Sequence, residues 1–258
     1  MGFELIGSPN MALTDAHCHL YEFSESDIAA YAKSFLIAAV SDDLESSRKT
    51  LLIAKRFRSV IPCIGVHPWE VGETPISHLA EIAKLIDSHD VHCLGEIGLD
   101  KKFSSSTISR QRLFFHEFLR LAKEYQLAVN VHALGAWSEV LSLLRKYDIS
   151  RAVIHWYTGP TELLNTIKSL GYYIGVNPAI KIQKKMKEVV KAAPLEILLT
   201  ESDGPYNYRK LKLGPELIRD TIKIIAELKG ISEAEVANAI KQNFKSLMKK
   251  LGISISLI

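Results

Sequence analysis

At 258 residues the chain is long enough for one or two domains, and barrels of roughly 250 residues often form a single one. With 47% apolar and 24% charged residues it is neither disordered nor collagen-like. Lys plus Arg number 32 against 29 Asp plus Glu, and a net charge of +3 does not by itself mark a nucleic-acid binder, because local basic patches decide that.

The chain opens Met1-Gly2-Phe3-Glu4-Leu5-Ile6, with no basic region leading into a long apolar stretch, so this is not a secretory signal. The first predicted strand covers residues 12–19 and ends Asp15-Ala16-His17-Cys18-His19. Strands follow at 34–40 and 60–67, then a helix at 76–88 with Ile76, Leu79, Ala80, Ala83 and Ile86 on one stripe. A fourth strand at 91–98 precedes a helix at 110–125. Strands at 127–132, 152–155, 172–176 and 197–203 complete the set, and helices at 213–228 and 232–251 close the chain. Ser232-Glu233-Ala234-Glu235 fits a capping box at the start of the last helix.

Several strands are near-continuous apolar runs, as parallel strands buried on both faces are. Strand and helix alternate eight times, which predicts a (β/α)8 TIM barrel. An open doubly wound sheet would announce a glycine-rich first turn, and Ala16-His17-Cys18-His19 is not one. No apolar run reaches the roughly 18 residues of a membrane span. Cys18, Cys63 and Cys93 each lie in an apolar run and read as free thiols in a reducing, cytoplasmic compartment.

Ligand-type residues gather where the strands end. His17 and His19 are two apart and share a face, with Cys18 pointing away. Asp15 shares that face but lies deeper, either orienting a ligand or pairing within the barrel. Glu96, His132 and His155 each follow an apolar stretch, where burial without a partner is costly. Asp203 ends the eighth strand. Four histidines and two carboxylates exceed the about three protein ligands of one catalytic zinc. Two divalent cations (Mg, Mn or Zn) fit better, and Glu96, with no lysine beside it, is the natural bridge. Asp203 is then both a ligand and the group best placed to take a proton from water.

His67, before Pro68, reads either as a substrate contact or as a turn organiser. Trp69, Trp156 and Tyr157 either stack an unpaired base or pack the barrel rim. Lys181, Lys184, Lys185, Lys187 and Lys191 read as a solvated helix face. Arg209, Lys210 and Lys212 lie beyond a strand end at the catalytic mouth, and Arg209 is the candidate substrate contact there.

Asp15-Ala-His17-Cys-His19-Leu20, Gly65-Val-His67-Pro68, Gly95-Glu96-Ile-Gly-Leu-Asp100, Val131-His132, His155-Trp-Tyr-Thr-Gly159 and Glu201-Ser-Asp203-Gly-Pro205 together resemble the TatD-like metal-dependent deoxyribonucleases, within the amidohydrolase-like barrels. The resemblance starts at Met11. It makes residues 1–10 an extension or leader and 11–258 one domain. It implies His17, His19 and Asp203 on one metal, His132 and His155 on the other, and Glu96 shared. It also implies hydrolysis of DNA phosphodiesters, often as a 3′–5′ exonuclease. A barrel mouth suits single-stranded or frayed DNA ends better than an intact duplex, and no obligate protein partner is evident. The chain departs from the family after the strand-five histidine, where Ala133-Leu134-Gly135-Ala136 replaces polar residues. It departs again at Trp156-Tyr157, and in Gly175-Val176-Asn177-Pro178 at the end of strand seven. Two other readings stay open: an amide or ester hydrolase, such as an aminoacyl-tRNA deacylase, and a catalytically silent metal-binding barrel.

Overall fold

Eight parallel strands pair in chain order, β1 to β8, around a barrel with helices outside it. The computed structural model describes residues 13–250, so the expectation about residues 1–10 falls outside it. The strands are Leu13–Cys18, Phe35–Val40, Val60–Ile64, Cys93–Gly98, Ala128–His132, Ala152–Ile154, Tyr173–Val176 and Leu198–Thr200. The helices α1 to α9 are Glu25–Ser34, Leu44–Arg56, Ser77–Ser88, Ile108–Glu124, Trp137–Lys146, Leu164–Ser169, Lys184–Ala192, Ile218–Lys229 and Glu233–Lys250. Among the described residues no helix is long and apolar enough to cross a membrane.

Local chemistry sets several helix ends. The Asp43 side chain accepts from Ser46 N at 2.7 Å and opens α2 with a capping box. Ser232 and Glu235 make the expected box before α9, with Glu235 N on Ser232 Oγ at 3.2 Å and Ser232 N on Glu235 Oε2 at 2.9 Å. Gly230 ends α8 at φ +67°, the left-handed conformation that glycine takes most readily. The expected helix at 213–228 begins only at Ile218, because Gly214 and Pro215 start a 3₁₀ turn instead. Before it, Asn207–Tyr208 (β9) and Leu211–Lys212 (β10) form a small hairpin with Arg209 and Lys210 at φ +46° and +72°. Two-residue strands carry no periodicity, so the sequence did not predict it.

Side chains of alternate strand residues fill the barrel. Leu36, Ala38, Val40, Ile61, Cys63, Cys93, Ala128, Val153, Tyr173 and Leu199 cluster apart from the helix-facing core, and Phe244, Leu247 and Met248 of α9 join them. All three cysteines are buried and free. The barrel closes between β1 and the chain beyond β8. Asp203 N donates to His17 O at 2.9 Å, and His19 N donates to Gly204 O at 2.9 Å. Deeper, Thr200 Oγ1 donates to Thr14 O at 2.9 Å and Ser202 N donates to Asp15 Oδ1 at 2.8 Å. Asp15 is thus a closing staple, and it accepts His17 N as well, at 3.2 Å. Burial pushes its carboxyl up to about 7.

Candidate metal centre

Strands β1, β3, β6 and β8 end earlier than predicted, whereas β2, β4, β5 and β7 end as predicted, and this matters for the site. His17, Glu96 and His132 lie inside β1, β4 and β5, whereas His19, His67, His155 and Asp203 lie just beyond β1, β3, β6 and β8. The backbone turns there to aim side chains inward. Asp203 sits at φ +52° and Trp156 at φ +42°, conformations that non-glycine residues hold only where the surroundings enforce them.

One group of donor atoms surrounds a point beside Glu96 Oε2. His17 Nε2 and His19 Nε2 are 3.3 Å apart. Glu96 Oε2 is 3.2 Å from His17 Nε2 and 3.5 Å from His19 Nε2, and Asp203 Oδ1 is 3.5 Å from both. Four donors bound tetrahedrally at about 2.0–2.1 Å lie about 3.3–3.4 Å from one another, so the spacing fits a small divalent cation.

The tautomers agree with this. Asn130 Nδ2 donates to Ala16 O at 2.7 Å, which turns Asn130 Oδ1 toward His17 Nδ1 at 2.8 Å. His17 therefore carries its hydrogen on Nδ1 and presents a lone pair at Nε2. His19 Nδ1 lies 3.2 Å from Asp42 Oδ1, and Tyr21 OH donates to Asp42 Oδ2 at 2.6 Å. Two imidazole lone pairs facing each other at 3.3 Å repel unless a proton or a cation lies between them.

A second group surrounds Glu96 Oε1. His132 Nδ1 is 2.7 Å from it, and His155 Nε2 and His67 Nε2 are each 3.2 Å away. His132 Nε2 lies 3.0 Å from Asp100 Oδ2, an acceptor for its hydrogen, which frees Nδ1 for a cation. His67 differs, because its Nδ1 accepts Trp69 N–H at 3.2 Å. Neutral His67 thus carries its hydrogen on Nε2, 3.2 Å from Glu96 Oε1 and 3.3 Å from His132 Nδ1, and in that tautomer it donates into the group, although His67, Glu96 and His132 lie close enough together to hold a cation.

Charge balance in the cluster follows from contact. Burial opposes ionisation of Glu96, but His67, His155, His17 and the His132 hydrogen bond outweigh it and hold the carboxyl well below its usual range. Burial pushes His19 and His155 down, yet Asp42, Asp203 and Glu96 for the first, and Glu96 and Glu201 for the second, hold them well above the usual imidazole range. His132 is raised in the same way by Asp100 and Glu96 against burial. Burial works against Asp42 too, but His19 keeps it down at about 2.

Asn130, Asp42, Asp100 and Glu201 support the site and received no role from sequence. Asn130 carried a readable signal, since it sits two residues before His132 on the same strand face and needs a partner when buried. Glu201 Oε1 accepts Trp156 N–H at 2.7 Å and lies 3.6 Å from His155 Nδ1. Gly175 of β7 makes room for it, because a Cβ there would overlap the Glu201 carboxylate.

The two groups lie at the bottom of a cavity of about 630 Å³. His67, Trp69 and Trp156 line it, whereas Tyr157 is buried in the core. Arg209 is not among its lining residues. It stands exposed in the turn between β9 and β10, with its guanidinium carbon 5.4 Å from the centre of the Tyr208 ring.

Comparison with known proteins places this arrangement in a family. The profile described as TatD related DNase matches residues 14–249. The uncharacterized metal-dependent hydrolase YcfH of Escherichia coli K12 is 28% identical over 256 residues, spanning 92% of this chain and 96% of that protein. The human deoxyribonuclease TATDN3 is 28% identical over 271 residues, spanning 93% of this chain and 96% of its own length. The crystal structure of YJJV, a TATD homolog from Escherichia coli K12, has the same fold, with a TM-score of 0.82 at 26% identity over 92% of this chain and 98% of that one.

Proposed function

This chain belongs to the TatD-related DNase family of metal-dependent hydrolases, and on that premise we propose that it is a deoxyribonuclease that hydrolyses phosphodiesters at single-stranded or frayed DNA ends, in the 3′–5′ direction, with two divalent cations. The observation that carries this reading is Glu96, whose Oε2 faces His17 and His19 while Oε1 faces His132 and His155. His17, His19, Asp203 and Glu96 would hold one cation, and Glu96, His132 and His155 the other. The spacing of the first group supports a four-coordinate ion such as zinc, and magnesium or manganese are the other candidates.

The chemistry that bound divalent cations supply is positive charge, which lowers the pKa of water toward about 7 and offsets the charge gathering on the phosphoryl oxygens. Asp203 lines the cavity with its Oδ1 beside both imidazoles, so it is placed to take the proton of the attacking water. His67, with its hydrogen on Nε2 beside Glu96 Oε1, is the side chain that would donate to a phosphate oxygen lying over Glu96. Asn130, Asp42 and Asp100 fix the ring orientations, so that little reorganisation is needed when substrate arrives. No serine or cysteine nucleophile is required. The buried free thiols support a cytoplasmic location.

The deciding experiment offers the purified protein labelled single-stranded DNA, duplex DNA, RNA and charged tRNA, each with Mg²⁺, Mn²⁺ or Zn²⁺. Metal-dependent release of mononucleotides from single-stranded DNA is expected. Deacylation of charged tRNA alone would make the protein an ester hydrolase, and no turnover at all would make it a silent barrel.

A further inference from the structure

The rim of the cavity is aromatic in a way that the core does not explain. Trp69, Phe103, Trp137, Trp156, Tyr206 and Tyr208 all line it. Phe103 is 77% exposed, Tyr206 43% and Trp69 40%, and among the described residues no other Phe, Trp or Tyr is exposed. Scattered exposed rings are ordinary, but three around one opening mark a binding surface.

These rings form two opposed walls. Phe103 follows β4, and Tyr206 and Tyr208 follow β8, which is four strands away in a barrel of eight and so on the far side of Glu96. Each wall is braced from within. Trp69 Nε1 donates to Asp100 Oδ2 at 2.6 Å, and its ring stands edge-on to Phe103 with centroids 5.9 Å apart. Trp156 Nε1 donates to Gln183 Oε1 at 2.8 Å, and its ring meets Tyr208 at 5.1 Å and Tyr206 at 6.0 Å. The polar edges of both indoles are thus satisfied by protein, and the walls are ordered before any ligand arrives. Charge points the same way. Among the described residues Lys102 is the only Lys or Arg lining the cavity, while Glu22 and Glu70 also line it. Beyond the two cations proposed over Glu96, which would meet one phosphate, so few basic side chains cannot grip a run of phosphates, and affinity for the flanking nucleotides has to come from the rings.

We propose that the cavity is a two-base clamp. The unpaired bases of the two nucleotides flanking the scissile phosphate stack on opposite walls, one on Trp69 and Phe103, the other on Trp156, Tyr206 and Tyr208, while the phosphate lies over Glu96. This rests on the phosphodiesterase reading. A base inside a duplex has its faces covered by its neighbours, so the clamp selects single strands through stacking rather than through a basic groove.

The test compares a single-stranded oligonucleotide with versions that carry base-free tetrahydrofuran residues at one or both flanking positions. Turnover is measured with cation-loaded protein. Binding is measured on phosphorothioate-protected strands by quenching of tryptophan fluorescence. Each missing base should weaken binding about 5- to 160-fold. Phe103→Ala and Tyr206→Ala change exposed side chains and should each lose a similar factor on the natural strand. Each loss should vanish when the base on that wall is already missing, because the two changes remove one contact. Leu113→Ala, a change to another exposed apolar side chain, on α4 and away from the cavity, should have no effect. Base-free strands that bind as well as natural ones, or losses that simply add, would overturn the clamp. If binding discriminates but no strand is cut, the clamp stands and the phosphodiesterase reading falls.

Discussion

Asn130 takes the Nδ1 hydrogen of His17 at 2.8 Å and returns its own amide hydrogen to Ala16 O at 2.7 Å. The pair fixes which nitrogen of His17 faces Glu96. Asn130→Ala should therefore lower cation affinity about 10- to 100-fold, the usual cost of losing such a partner. Asn130→Asp keeps an acceptor for Nδ1–H and should recover most of it. Metal titration by calorimetry gives both numbers. Equal affinities for Asn130→Ala and the unaltered protein would show that the tautomer is set elsewhere.

On the proposed two-cation reading, Glu96 is the residue whose loss should affect both cations. One carboxylate oxygen faces each group, and removing the negative charge leaves two cations less neutralised. Glu96→Gln should weaken both equivalents in a metal titration, whereas His155→Ala should weaken chiefly one. Two equivalents bound by Glu96→Gln as tightly as by the unaltered protein would remove the shared carboxylate.

Asp203→Asn keeps the shape of the side chain and loses the proton acceptor. Turnover should fall by at least about 10²-fold, the lower end of the contribution of a positioned acid or base. Metal at the Glu96, His132 and His155 group should persist. Rate and metal content measured on the same preparation check this, and near-normal hydrolysis would make Asp203 a structural residue.

Gly175→Ala places a methyl group where the Glu201 carboxylate lies. Either β7 shifts or Glu201 leaves Trp156 N and His155, so the change should destabilise the protein by at least about 1–3 kcal/mol. Urea unfolding measures it. A variant as stable as the unaltered protein would mean that Glu201 has an alternative place to go.

Asp15 gives a pH dependence. Its carboxyl is raised from 3.8 to about 7 by burial, so between those values the native protein holds a proton that the unfolded chain has lost. Stability from this group falls as pH rises through that window, by about 4 kcal/mol at most, and levels off above it. Asn at position 15 keeps the acceptor for Ser202 N and His17 N without titrating. The stability of Asp15→Asn relative to the unaltered protein should therefore climb between pH 4 and 7 in cation-free urea titrations. Parallel curves would mean that Asp15 stays ionised in the fold.

The barrel and the mouth were legible in the chain because both are written locally. Runs such as Ala152-Val153-Ile154 are short, apolar and β-rich, and only a strand covered on both sides makes use of them. The two-residue step from His17 to His19 puts both rings on one face wherever the strand goes. Burial also makes polar residues at strand ends conspicuous, so Glu96, His132 and His155 are marked in the sequence itself. The hairpin around Arg209 was not legible, since four residues have no period, and a basic residue beyond β8 gave no hint that its side chain would lie over Tyr208.

Tertiary structure alone decided which atoms meet. Sequence named Glu96 as a bridge but not which oxygen faces which imidazoles. It placed His67 at the mouth but not its hydrogen, which depends on Trp69 N–H reaching Nδ1. It passed over Asn130, Asp42 and Asp100 as supports because each acts on a ring brought to it from another strand. Periodicity fixes the face of a strand on which a side chain lies. Separations of 3.2 to 3.5 Å between side chains of β1, β4 and the chain beyond β8 are fixed instead by strand register and by closure of the barrel, both of which are properties of the folded chain as a whole.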